Sequence, residues 1–161
     1  MFTYREFIVR DSEENELVKV RTTFALMKND DRKMARIPDK VVEPYKAVFA
    51  RRIRRDLKPN APDPSATAEK DYIVRYFDID GNQHVNNSRY IEWLLDSLNP
   101  SFLSSHQLHH GIITFDKEVK EGDEVRSKVS DRVDDGDIYT DHQILVGETV
   151  HASASFKWKT N

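Results

Sequence analysis

An α+β fold, in which an antiparallel sheet wraps one buried helix, is what this sequence of 161 residues predicts. Three observations carry that expectation. Four strand-like runs follow one another from Gly111 to Lys159, two of them with clean alternation of apolar and polar residues. One helix-like run, Ser88 to Leu98, bears a single apolar stripe. Between it and a strand-like run from Tyr72 to Phe77 lies the most informative stretch of the chain, Asp78 to Asn87, reading DIDGNQHVNN.

Composition bounds the reading. With 33% charged and 38% hydrophobic residues, the chain suits a globular protein. No apolar run approaches the ~18 residues a spanning helix needs, so no membrane span is expected, and no signal-peptide core is visible at the N-terminus. The absence of cysteine excludes disulfides, thiolate nucleophiles and cysteine-ligated zinc. A net charge of -3 argues against general nucleic-acid binding. The default expectation is a cytoplasmic protein.

The strands are expected at Gly111 to Val119, Glu124 to Val133, Asp137 to Val146 and Thr149 to Lys159. Hairpin turns are expected at Glu121-Gly122-Asp123, Asp134-Asp135-Gly136 and Gly147-Glu148. In the second strand Val125, Ser127, Val129, Asp131 and Val133 share a face. In the last, Val150, Ala152, Ala154, Phe156 and Trp158 do, opposite His151, Ser153, Ser155 and Lys157. The helix stripe is Tyr90, Ile91, Leu94, Leu95 and Leu98, with Asn86 or Asn87 as its cap. Ala152 and Ala154 are small where a helix backbone must come close to the sheet. A strand, a buried helix and a four-strand meander around it make the hotdog arrangement.

The first half reads differently. Thr3 to Arg10 and Glu16 to Lys28 form a hairpin turning at Ser12-Glu13-Glu14-Asn15, and Asn29 to Lys33 turns again before Met34 to Ile37. These strands resemble the end of a second sheet. Lys46 to Leu57 is expected as a short basic helix, and Lys58 to Ala68 (KPNAPDPSATA) as a linker, because its prolines forbid regular structure. The expected organisation is therefore 1–45 as the tail strands of a second sheet, 46–68 as basic segment and linker, and 69–161 as a complete hotdog carrying the site.

Several readings of the polar stretch compete. Asp78, Asp80 and Asn82 match the start of an EF-hand loop, but Gln83 replaces its glycine and Arg89 its bidentate glutamate, which excludes calcium of that kind. A bland reading makes Asp80-Gly81 a turn, Asn86-Asn87 a helix cap and His84 a surface residue. It does not account for Asp80, Asn82 and His84 at alternate positions, which an extended loop would point one way. A loop ending at a helix N-terminus offers backbone N–H groups to a ligand, and an acid, an amide and an imidazole beside it are the parts for acyl chemistry on a carbonyl. Elsewhere, His106, His109 and His110 read as a solvated loop rather than a metal site. Arg51-Arg52-Ile53-Arg54-Arg55 reads as a solvated face rather than a patch for an acidic partner.

The stretch RYFDIDGNQHVNNSRYIEWLLDSL resembles the acyl-acyl carrier protein thioesterases of plants and bacteria, which carry two tandem hotdogs. Their D-x-N-x-H-V-N-N motif is matched by Asp80, Asn82, His84, Val85, Asn86 and Asn87. Lys117-Glu118-Val119 stands where the family has a glutamate in a segment such as R-E-C. Glu118 thus matches, and Val119 replaces the cysteine. Arg5 to Pro38, closing on Arg36-Ile37-Pro38, looks like the last strands of the family's first hotdog, whose opening strand and helix are missing. The resemblance implies hydrolysis of acyl-carrier-protein thioesters to free fatty acid, with no cofactor and no metal. It implies Asp80, Asn82, His84 and Glu118 as catalytic residues, and Asn86 and Asn87 with the helix start as oxyanion holders. Glu118 and Asp80 both suit the base or nucleophile, and His84 the residue that orients it. The expected partners are an acyl carrier protein bearing acyl-phosphopantetheine and, through the uncovered N-terminal sheet, further copies of the chain. Rival readings are a single-hotdog acyl-CoA thioesterase, disfavoured by Gln83 where that type has glycine, a non-catalytic acyl-binding module, and nucleic-acid binding through Arg51 to Arg55.

Overall fold

Alternation in the first two strands makes an amphipathic hairpin. In the computed structural model, which describes residues 2–28, 30, 31, 33–49, 53, 57–65 and 68–161, the chain divides into two units, Met1–Arg55 and Asp56–Asn161. In the first, β1 (Phe2–Arg10) pairs antiparallel with β2 (Glu16–Ala25), setting Phe7 opposite Val20 and Val9 opposite Val18. These four residues and Phe24 are exposed. The other face carries ion pairs, Arg21 Nε to Glu6 at 2.8 Å among them. The Asp11 carboxylate closes the turn by accepting the Glu13 and Asn15 N–H groups. Met27 bridges Met34 after the second turn, and a short helix, α1 (Asp39–Val42), follows. Lys46 to Phe49 are not helical, contrary to the helix expected over Lys46 to Leu57. Its arginines, Arg51, Arg52, Arg54 and Arg55, lie outside the described residues.

The second unit holds β3 (Ala68–Ile73), α2 (Asn87–Asp96), α3 (Pro100–Ser105), β4 (His106–Phe115), β5 (Glu124–Asp134), β6 (Asp137–Val146) and β7 (Thr149–Thr160). Its sheet runs β3-β5-β6-β7-β4, antiparallel throughout. Asp135 and Gly136 turn β5 into β6 with φ of 51° and 82°, the two left-handed residues a tight hairpin of right-twisted strands requires. The expected hairpin at Glu121-Gly122-Asp123 does not form. β4 lies at the far edge beside β7, so the meander has three strands, and the chain crosses from β4 to β5 past the start of α2. The strand expected at Tyr72 to Phe77 ends at Ile73, and Tyr76–Asp78 makes a 3₁₀ turn instead. His106, His109 and His110, expected in a loop, belong to β4, with His106 stacked on Phe102.

The core lies between α2 and one face of this sheet. Tyr90, Trp93 and Leu94 are the buried residues of the helix and meet Val125, Ile144, Ala152, Ala154, Phe156 and Trp158. Trp93 was not in the expected stripe, and Ile91, which was, is exposed: the buried face is set by spacings of three and four from Tyr90. Each large side chain so buried contributes about 1.5–3 kcal/mol. Gly111 is required by close approach, because a Cβ there would stand 2.9 Å from the Phe156 ring. The proline-rich stretch is seated on the opposite face. Pro62 is buried, the Asn60 N–H donates to Ser155 Oγ and the Asp63 N–H to Ser130 Oγ, both at 2.9 Å.

Candidate active site

The DIDGNQHVNN stretch folds as a closed loop whose two ends are tied together. The Asn86 N–H donates to the Asp78 carbonyl (2.8 Å), Ile79 bridges Val85, and the Asp80 N–H donates to the His84 carbonyl (2.8 Å). The Gln83 N–H reaches back to the Asp80 carbonyl, with Gln83 at φ 66°. The loop is therefore a turn and not the extended segment that alternation at 80, 82 and 84 suggested. Left-handed Gln83 breaks the period.

Below the loop sits Asp78, a carboxylate 1% exposed. It accepts the Arg75 N–H at 2.9 Å and the Arg75 guanidinium at 3.1 and 3.3 Å, and Arg89 on the first turn of α2 lies 3.4 Å away. Burial pushes its pKa up. The Arg75 hydrogen bonds and the two guanidinium charges outweigh that and hold it below the usual carboxylate value. Sequence reasoning passed over Asp78, though an aspartate flanked by arginines at three before and eleven after was available as a signal. Asn86 is the helix cap: its side chain accepts the Ser88 N–H at 2.9 Å, and Asn87 is the first helical residue. Of the first-turn donors, the cap takes Ser88 and the Asn86 carbonyl takes Arg89.

The expected site residues fall into two pairs. His84 Nε2 lies 2.9 Å from Glu118 Oε2. Asp80 Oδ1 accepts the Asn82 N–H at 2.8 Å, and its other oxygen is 3.5 Å from the Asn82 amide nitrogen. The pairs are joined through the backbone by the Asp80 to His84 hydrogen bond. Glu118 is not on a strand as expected. β4 ends at Phe115, and Glu118 lies in the irregular crossing, where the Val85 N–H donates to the Val119 carbonyl at 3.0 Å and so sets this segment against the loop. The four residues line neither of two open clefts, one of about 670 Å³ between β3, β5 and the β6–β7 turn, the other of about 310 Å³ at the end of α2. They stand on an open rim, Glu118 40% and His84 26% exposed. Among the described residues no group of three or more His, Asp or Glu is placed to hold a metal.

The fold recurs in solved thioesterases. A putative oleoyl thioesterase from Lactobacillus plantarum superposes with a TM-score of 0.91 at 34% identity, over 99% of this chain and 63% of that one. The 12:0-ACP thioesterase from Umbellularia californica gives 0.80 at 26%, over 99% and 62%. The class is that of hotdog thioesterases. Residues 62–160 match the family model of the acyl-ACP thioesterase C-terminal domain and residues 1–45 that of the N-terminal domain, so the chain belongs to the acyl-ACP thioesterase family. Among curated proteins, the chloroplastic oleoyl-acyl carrier protein thioesterase of Coriandrum sativum is 27% identical over 95% of this chain and 44% of its own length. The chain thus spans less than half of that relative.

Proposed function

We propose that the chain hydrolyses acyl-acyl carrier protein thioesters to free fatty acids, with Glu118 and His84 as the acid–base pair. The observation that carries this reading is the 2.9 Å contact between His84 Nε2 and Glu118 Oε2 at the start of α2. Asp80, the competing candidate, spends Oδ1 on holding the Asn82 N–H, which suits a residue that orients the amide rather than one that attacks. Glu118 takes a proton from a water as the water oxygen attacks the thioester carbonyl. The oxyanion is received by the Asn82 amide and the Asn87 N–H at the helix start. Collapse breaks the carbon–sulfur bond, the proton passes to the leaving thiolate, and acid and carrier thiol depart. Family membership and the names of the relatives support this substrate class.

Around that activity we assign 1–45 to the end of a first hotdog, 46–68 to a connection and 69–161 to the catalytic hotdog, in a cytoplasmic protein. The exposed apolar face of Phe7, Val9, Val18, Val20 and Phe24 supports a homo-oligomer, since such a sheet face in water favours association. The plant relatives are named as chloroplastic. Turnover measured with matched acyl-carrier-protein and acyl-CoA substrates tests the reading: faster hydrolysis of the carrier-protein ester is expected. Release from CoA alone would reassign the substrate, and no turnover with either would leave an acyl-binding module. Sedimentation at micromolar concentration tests the oligomer, and a well-behaved monomer would refute it.

A further inference from the structure

A catalytic glutamate on an irregular segment needs fixing from outside that segment. Around Glu118 the fixing groups are specific. The Asp116 and Lys117 N–H groups both donate to the His151 carbonyl, at 2.8 and 3.1 Å. The His151 ring turns its Nδ1 to the Glu118 carbonyl at 3.1 Å, and facing a carbonyl that nitrogen carries the proton. On the other side, the Val119 N–H donates to the Tyr90 hydroxyl at 3.0 Å, inside the core, and that hydroxyl faces the Lys117 carbonyl at 3.5 Å. Tyr90 is on α2, one turn beyond the cap, and packs edge-on against Phe115 and obliquely on Trp93. His151 is on β7. Helix and sheet thus grip the peptide units on either side of Glu118.

We propose that Tyr90 and His151 are positioning residues for Glu118, holding its backbone from α2 and from β7 so that its carboxylate meets His84. Core burial alone accounts for the Tyr90 ring but not for its hydroxyl, which a phenylalanine would lack at no cost in packing. That hydroxyl has the Val119 N–H as its donor, and burial next to the Glu118 charge keeps it protonated by raising its pKa. For His151, an imidazole that donates to the Glu118 carbonyl is a more specific contact than a side chain in a strand needs. The proposal rests on the reading of Glu118 as the acid–base group.

The test uses the full chain with acyl-carrier-protein substrate, together with amide hydrogen exchange, which needs no turnover. Tyr90→Phe is expected to lower kcat by about 10- to 100-fold with KM nearly unchanged, the scale of a misplaced catalytic group. In the Glu118→Gln background the same change should cost nothing further, because the group it positions is already disabled. His151→Ala should behave alike, and His151→Asn, whose amide nitrogen replaces Nδ1, should recover most of the rate. The Val119 amide should lose exchange protection in Tyr90→Phe while the other α2 and β7 amides keep theirs. An unaltered kcat in Tyr90→Phe, or a loss that adds in full to that of Glu118→Gln, would overturn the proposal. Should the parent chain hydrolyse no acyl thioester, the hydrolase reading fails, and exchange at Val119 decides the grip alone: unchanged protection in Tyr90→Phe refutes it.

Discussion

His84 Nε2 and Glu118 Oε2 stand 2.9 Å apart, although one belongs to the loop before α2 and the other to the crossing after β4. What brings them together is backbone: Val85 and Val119, the next residue of each segment, share a hydrogen bond at 3.0 Å. Val85 and Val119 are both buried, so the two valines anchor in the core and leave the two polar side chains on its rim. An apolar neighbour on each segment is what makes the polar contact reproducible. Glu118→Gln should therefore lower kcat by about 10² or more, and Asn82→Ala by about 10² to 10³ through loss of an oxyanion donor. Steady-state kinetics on the purified variants checks both, and a Glu118→Gln enzyme of normal kcat would remove Glu118 from the mechanism.

Asp80 should separate from Glu118 in its response. Asp80→Asn keeps an oxygen able to accept the Asn82 N–H and is expected to cost less than about ten-fold, since only the charge is lost and the turn is kept. Asp80→Ala removes the acceptor and should cost more. Equal and large losses in both variants would show that the Asp80 charge itself takes part in the chemistry.

Much of this arrangement was legible in the sequence, for identifiable reasons. The alternation of β5 and β7 survived because a sheet face pressed on a helix tolerates no error of period, and Val125, Ser127 and Val129 are buried as read. The cap was legible because Asn86 has a local task, satisfying Ser88 two residues away. The position of β4 was not, because Glu121-Gly122-Asp123 looks the same whether the chain turns back or crosses over. Only pairing with β7, distant in sequence, decides that. Nor was the loop's shape legible: a positive φ at Gln83, with no glycine to announce it, replaces an extended segment by a turn. The hold of Tyr90 and His151 on the Glu118 segment was not legible either, because those contacts are to backbone atoms, which leave no pattern of residue types.

The buried imidazole of His142 predicts an acid-sensitive fold. Its Nε2 pairs with Thr140 Oγ1 at 2.8 Å, Trp158 donates to the same oxygen, and Phe156 packs on the ring. Burial pushes its pKa down to about 4, against a smaller opposing pull from Asp141 and the Leu94 backbone. Below pH 6.5 the unfolded chain takes up a proton that the folded chain refuses until about pH 4. The unfolded state then binds more protons, and stability falls as pH falls through that window, by up to about 3 kcal/mol. Thermal melts between pH 7.5 and 4.5 should show the decline, and His142→Gln should flatten it. An unchanged slope in that variant would assign the acid sensitivity elsewhere.

Asp78 adds a separate dependence at lower pH. Its pKa is depressed, so its contribution is present above the usual carboxylate range and is lost as pH falls through the depressed folded value. Asp78→Ala leaves the Arg75 N–H and guanidinium without their acceptor, takes from Arg89 one of its two carboxylate partners, and should destabilise by about 1.5–3 kcal/mol, the range for charged hydrogen bonds. Denaturant unfolding measures this. The loss of activity should exceed the loss of folded protein, because the Asp78 carboxylate also ties Arg75 to Arg89 on the first turn of α2, at the two ends of the loop that carries His84.

The segment 58–65 yields the last prediction, since it was expected to be a free connection and is seated on the sheet. Ser130, Asp141 and Ser155 form one row across β5, β6 and β7. Ser155 Oγ donates to Asp141, whose second oxygen takes Arg132 Nε at 2.7 Å. The serine oxygens at the two ends of the row receive the Asp63 and Asn60 N–H groups. Asp141 is buried on the face away from the helix, in the middle of a row that the segment engages at both ends. Ser130→Ala should cost about 1 kcal/mol, the net worth of one such hydrogen bond, and Ser155→Ala more, because it also removes the bond to the Asp141 carboxylate. The double variant should be cleaved faster within 58–65 by an unspecific protease. A chain begun at residue 68 should melt lower than one begun at residue 57, with the sheet intact in both. Equal melting temperatures would mean that the segment lies on the sheet without stabilising it.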